Sequence, residues 1–218
     1  MTLPGPQPFV GRAELLQAVA QAASRSAAGA PYDDSIPKMA GRRFELRLPF
    51  GCFGPGAGDI AYAYDAKSQA LKLTASPVDW TDTPWAARLA HSGDVEAVEG
   101  FWIRRPWLLV ETCPVAGLSG EAGAAPETVG LAEVFETGGS RLSRRGGRAY
   151  QVTRKTPPEA VGAGGWRLVL RGRIASDETP VRCANEGPET RPACLVRVVF
   201  ERVAFEDGAG QTLAEWSN

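Results

Sequence analysis

The chain has 218 residues, of which 44% are hydrophobic and 22% charged, enough for one well-cored domain and unlike a disordered or fibrous composition. Its formal net charge of −1 excludes an overall pull toward nucleic acid or an anionic membrane. No apolar run approaches the roughly 20 residues that span a bilayer, so no membrane span is expected.

By count, the 24 basic residues are 20 Arg and 4 Lys, a bias that with abundant Ala points to a GC-rich bacterial genome rather than an arginine-driven site. The opening "MTLPGPQPFV" has neither a basic n-region nor an apolar h-region. From Gly11 to Ser24 the periodicity predicts a helix, because Leu15, Leu16, Val19, Ala22 and Ala23 fall at spacings of three and four. No Ser, Thr, Asp or Asn occupies the cap position. Ser24 to Gly41 reads as an irregular connector, so residues 1–41 are expected to pack as a helix and connector on a β-rich domain of residues 42–218.

From Arg42 the period changes to two. Phe44, Leu46, Leu48 and Phe50 alternate with Glu45 and Arg47, as in a half-buried strand. "DIAYAYDAKSQALKLTA" predicts a hairpin turning at Asp65–Ser68. In "DTPWAARLAHSG", Thr83 as N-cap, Pro84 at the first helical position and Gly93 at the end predict a short helix. "VEGFWI" and "WLLVETC" read as strands broken at Arg104-Arg105-Pro106. Pro114 to Gly130 reads as a mobile loop, and "LAEVFETG" and "RAYQVTRK" as arms of a hairpin around "GSRLSRRGG". "WRLVLRGRI" alternates again. In "CLVRVVFERVAFED" the phase slips, and a bulge near Glu201-Arg202 would restore one buried face. About nine short strands and two short helices predict a mainly β fold, an antiparallel β-sandwich or partly closed barrel.

Cys52, Cys113, Cys183 and Cys194 are an even set with no C-x-x-C, and His91 is the only histidine, so neither a zinc site nor a thioredoxin-type site is expected. A Cys183–Cys194 clip around the Gly187-Pro188 turn is worth about 3 kcal/mol by loop closure, and Cys52–Cys113 about 4 kcal/mol. Two other pairings and four buried free thiols are the alternatives. Disulfides imply an oxidising compartment, so the expected location is periplasmic or secreted after removal of a leader, with a cytoplasmic protein as the alternative.

Catalytic constellations are scarce. A triad would have to be built on His91, and no G-x-S-x-G surrounds any serine. Gly56-Ala-Gly58-Asp-Ile-Ala61 matches G-x-G-x-x-A in letters, but a strand follows where a nucleotide site needs a helix. Arg141, Arg144, Arg145 and Arg148 read as a solvated loop before a phosphate contact. Four tryptophans cluster in "SPVDWTDTPW" and "GFWIRRPWLL", so Trp80, Asp82, Trp102, Arg104 and Trp107 are the candidate ligand-binding residues. The expected function is a non-catalytic extracytoplasmic β-domain that binds a small molecule, a glycan or an envelope protein, without cofactor, metal or nucleic acid. The alternative is a carboxylate-dependent hydrolase acting on carbohydrate through Asp79 and Asp82.

Overall fold

The computed structural model of the protein describes residues 8–83, 85–86, 94–115, 127–162, 164–176, 178–185 and 187–217. Among these residues two α-helices, α1 (Arg12–Ala27) and α2 (Ser35–Met39), precede eleven strands. The strands are β1 (Arg43–Phe50), β2 (Ile60–Asp65), β3 (Ala70–Ala75), β4 (Val78–Asp79), β5 (Val95–Trp102), β6 (Val129–Glu136), β7 (Tyr150–Lys155), β8 (Trp166–Ile174), β9 (Val181–Ala184), β10 (Ala193–Glu206) and β11 (Thr212–Ser217). The fold is mainly β, with two sheets not closed into a barrel. The larger sheet runs β1-β8-β10-β6-β5-β4, with β9 and β11 also paired to β10, and the smaller runs β2-β3-β7.

The core follows from the alternation in the sequence. On β1 Phe44, Leu46, Leu48 and Phe50 are buried, and Leu46 and Leu48 stand opposite Leu170 and Leu168 of β8. Arg47 on the other face meets Glu45 and Glu206 at 2.7 and 3.1 Å, so the same strand presents oil inward and charge outward. The β2–β3 hairpin forms, and its Tyr62, Leu71 and Leu73 join the same core. β10 carries the expected bulge: its register against β8 shifts between Phe200 and Arg202, so Val198, Phe200, Val203 and Phe205 are all buried. One pairing departs from the antiparallel pattern, since β10 runs parallel to β6 over Cys194–Arg197.

α1 starts one residue after the predicted Gly11, which is its N-cap, and runs three residues past Ser24, burying Leu15, Leu16, Val19, Ala22 and Ala23. The connector is less irregular than expected. α2 forms within it because Ile36 and Met39, three residues apart, are both buried.

Two expected strand arrangements are corrected. β6 and β7 are not partners, since β6 lies between β5 and β10 while β7 pairs with β3 in the other sheet. Both edges of β6 are taken, and the segment between β6 and β7 crosses from one sheet to the other. "WLLVETC" is not a strand: the chain turns through Arg104–Trp107, and its carbonyls are claimed by a side chain rather than by a ladder. Most of the helix expected after Thr83, including His91 and Gly93, lies outside the described residues, as does most of the loop expected over Pro114 to Gly130. Both disulfides are present, Cys52–Cys113 and Cys183–Cys194. Cys183 and Cys194 stand directly opposite each other on β9 and β10, with Cα atoms 4.0 Å apart.

Candidate functional site

The candidate ligand residues separate into two places. Trp80 is buried and meets Trp102 edge to face at 5.0 Å, in a small second core with Ala86, Val98, Ala132 and Leu195. These residues lie on the face of β5 and β6 that points away from the main core, and small residues make room for the indoles. A Cβ on Gly100 would come within 2.9 Å of the Trp80 ring and 1.9 Å of the Leu131 carbonyl oxygen. Asp82 is exposed beside this cluster, and Asp79 accepts hydrogen bonds from the Thr81 amide, at 2.8 Å, and the Thr81 hydroxyl. Such bonds make a local turn and occupy the Asp79 carboxylate.

Arg104 and Trp107 belong to a different surface. Cys52–Cys113 joins the loop after β1 to the segment after β5, and four large apolar side chains on these two segments face solvent. Phe53 is 64% exposed, Trp107 58%, Val110 54% and Leu109 41%. Isolated exposed apolar residues are ordinary, whereas several on two tied segments suggest a contact surface. Beside them a pocket of about 180 Å³ is lined by the Gly51–Ala57 loop, Ile60, Tyr62, Arg104 and Arg105. The Arg105 guanidinium lies over the Phe53 ring, 5.9 Å from its centroid.

The arginine segment is held from beneath. Arg12, in the first turn of α1, is only 2% exposed. It donates from Nε to the Leu108 carbonyl at 2.7 Å, and from Nη2 to the Arg104 and Arg105 carbonyls at 2.9 and 3.0 Å. Burial lowers its pKa, with Glu111 opposing and Arg105 adding to the shift. Arg105 itself adopts φ 52°, the left-handed region that costs a non-glycine residue about 1–2 kcal/mol. The clamp on its carbonyl helps to hold that conformation.

Sequence reasoning missed Arg12, Phe53 and Arg105. Arg12 stands at the start of the predicted helix with no sequence signal of burial, and Arg105 stands in the predicted strand break. For Phe53 a signal was present: a lone aromatic in "GCFGPGAG", flanked by glycines that form no core stripe.

The arginine-rich loop before β7 is not a freely solvated turn. It docks on acids of β5 and β6, with Arg141 and Arg144 meeting Glu96 at 2.7 and 2.6 Å. Glu99 and Glu133 are directly opposite in the β5–β6 register, both buried on the face shared by Phe101 and Leu131. Glu99 accepts the amides of Arg145 and Gly146, each at 2.9 Å, and Glu133 accepts the Ser143 hydroxyl at 2.7 Å. The cavity above them is about 10 Å³, room for about one water rather than a sugar ring. Burial, with the charge of Glu99 in the same direction, raises the Glu133 pKa from 4.5 to about 7, against the bonds from Ser143 and the Phe200 amide.

The raised value favours the protonated acid in the folded protein. Its stabilisation is full below pH 4.5 and is lost as pH rises through about 7. That rise corresponds to about 3 kcal/mol. Urea unfolding from pH 4.5 to 8 is therefore expected to show a decline that Glu133→Gln flattens. An undiminished decline in that variant would assign the effect to other groups.

The chain matches no protein-family model, no curated protein and no solved structure. What the fold and the site define is a two-sheet β domain with two disulfides and a solvent-facing aromatic-arginine surface.

Proposed function

We propose that this chain is a non-catalytic extracytoplasmic β-domain that binds a protein partner in the cell envelope. The observation that carries the proposal is the exposed Phe53-Trp107-Val110 surface, tied by Cys52–Cys113 and clamped from below by Arg12. Rigid aromatic anchors bind with little loss of side-chain freedom, which is why they dominate many protein contacts. Two disulfides with no free cysteine support an oxidising compartment, periplasmic or secreted. Among the described residues no helix is long and apolar enough to cross a membrane.

The test is a photoactivatable residue placed at position 107 or 53 in the native host, with position 72 on β3 as the control. One partner cross-linked from 107 and 53 but not from 72 is the expected result. Equal labelling from all three positions, or all four thiols found reduced in the native protein, would overturn the proposal.

A further inference from the structure

Two arginines line the pocket beside Phe53. Arg104 and Arg105 are adjacent and half-buried, and both line the same cavity of about 180 Å³. Among the described residues, neither has a carboxylate within ion-pair distance. Burial lowers the Arg105 pKa, and the charge of Arg104 lowers it further. Arg12 adds a third positive charge from below. Three acids lie around these charges, and one is Asp59, which acts on Glu127 and follows Gly58, where the Arg104 guanidinium approaches. Glu127 lies near enough to Arg104 for the charges to be felt, and Glu111 acts on Arg12 while also accepting the Arg47 amide at 3.0 Å.

A half-buried guanidinium without a counterion gains most from an anion brought in with a partner. The cavity is smaller than the 300–1,000 Å³ typical of small-molecule sites and fits a side chain. Phe53 lines it and is exposed, and Trp107 is exposed two residues beyond Arg105 on the same segment, so the complementary group joins a carboxylate to an apolar neighbour. Arg12 adds a positioning role, because its three hydrogen bonds hold the backbone from which Arg104 and Arg105 project.

We infer that Arg104 and Arg105, with the Gly51–Ala57 loop, form a receptor for a carboxylate presented by a partner protein, its apolar neighbour resting on Phe53 and Trp107. This inference rests on the proposed partner-binding function and names the chemistry of the partner. An acidic side chain and a chain terminus both present a carboxylate, and the probes separate the two.

The experiment titrates the full chain with acetyl-Glu-Phe-amide, acetyl-phenylalanine, the neutral acetyl-Gln-Phe-amide and inorganic phosphate. It reads the arginine side-chain nitrogen resonances by NMR. Saturable shifts confined to Arg104 and Arg105 are expected with at least one carboxylate probe, at least about tenfold tighter than the neutral peptide. Binding by acetyl-Glu-Phe-amide alone identifies a side-chain source, and binding by acetyl-phenylalanine alone a terminal one. Arg105→Gln is expected to weaken the preferred probe by about tenfold or more, and added salt to weaken it further. Equal binding of the neutral peptide would overturn the inference while leaving an apolar partner surface intact. No saturable shift with either carboxylate, or phosphate binding in their place, would overturn it as well. Cross-linking from positions 53 and 107 reports separately on whether the surface meets a partner at all.

Discussion

Arg12→Met is expected to destabilise the protein by about 4 kcal/mol and to loosen the segment that carries Trp107. Methionine matches much of the stem of arginine and avoids burying a charge, which limits the loss from packing. It supplies no donor, however, so the carbonyls of Arg104, Arg105 and Leu108 lose their bonds to the buried guanidinium. Bonds to a charged donor are worth about 1.5–3 kcal/mol each, and removing one side of a buried charged network costs about 3–5 kcal/mol in total. Arg12→Lys restores charge but not the planar fork that reaches three carbonyls, so it is expected to recover only part of the loss. Urea unfolding gives the stability. Hydrogen exchange of residues 104–110 gives the local effect, which should exceed that in β8. A uniform change across both would make Arg12 an ordinary core residue and remove its role in organising the surface.

The two sheets were legible where a residue's fate depends on its own strand. Phe44 to Phe50, the β2–β3 hairpin and the slip in β10 are patterns of period two, and each appears with the expected burial. The exchange of partners by β6 and β7 was not legible, because it depends on which edges β5 and β10 already occupy. Turn chemistry in "GSRLSRRGG" suggested a local reversal, and nonlocal pairing overrode it.

Charged residues were the other source of error. Glu99 keeps the parity of Ala97 and Phe101, and Glu133 that of Leu131 and Phe135, so both are carried to the inner face with their apolar neighbours. A glutamate in phase with core residues on two strands is a usable signal for a buried acid, and the arginine-rich loop supplies the donors. Trp density picked out Arg104 and Trp107 along with Trp80 and Trp102, but only the backbone path separates the closed indole cluster from the open surface. Arg12 shows the same limit, since its partners lie more than 90 residues away.

Removing the Cys52–Cys113 bridge is expected to cost about 4 kcal/mol, because its 61-residue separation makes the unfolded loop expensive to close. The bridge also sits where Gly165, at φ 71°, leaves it space: a Cβ there would come within 2.6 Å of the Cys113 sulfur. Cys52→Ala with Cys113→Ala releases the Phe53 loop from the segment bearing Trp107 and Val110, so partner or carboxylate binding should fall together with stability. Cys183→Ala with Cys194→Ala is the matched comparison. Its 11-residue separation corresponds to about 3 kcal/mol, and β9 remains paired with β10 by its ladder. That variant is expected to unfold more easily yet to bind as the parent does under conditions where both are folded. Binding depends on preorganisation only if the two effects separate in this way. Equal loss of binding in both variants would reduce the Cys52–Cys113 bridge to a global staple, and unchanged binding in both would place the contact surface elsewhere.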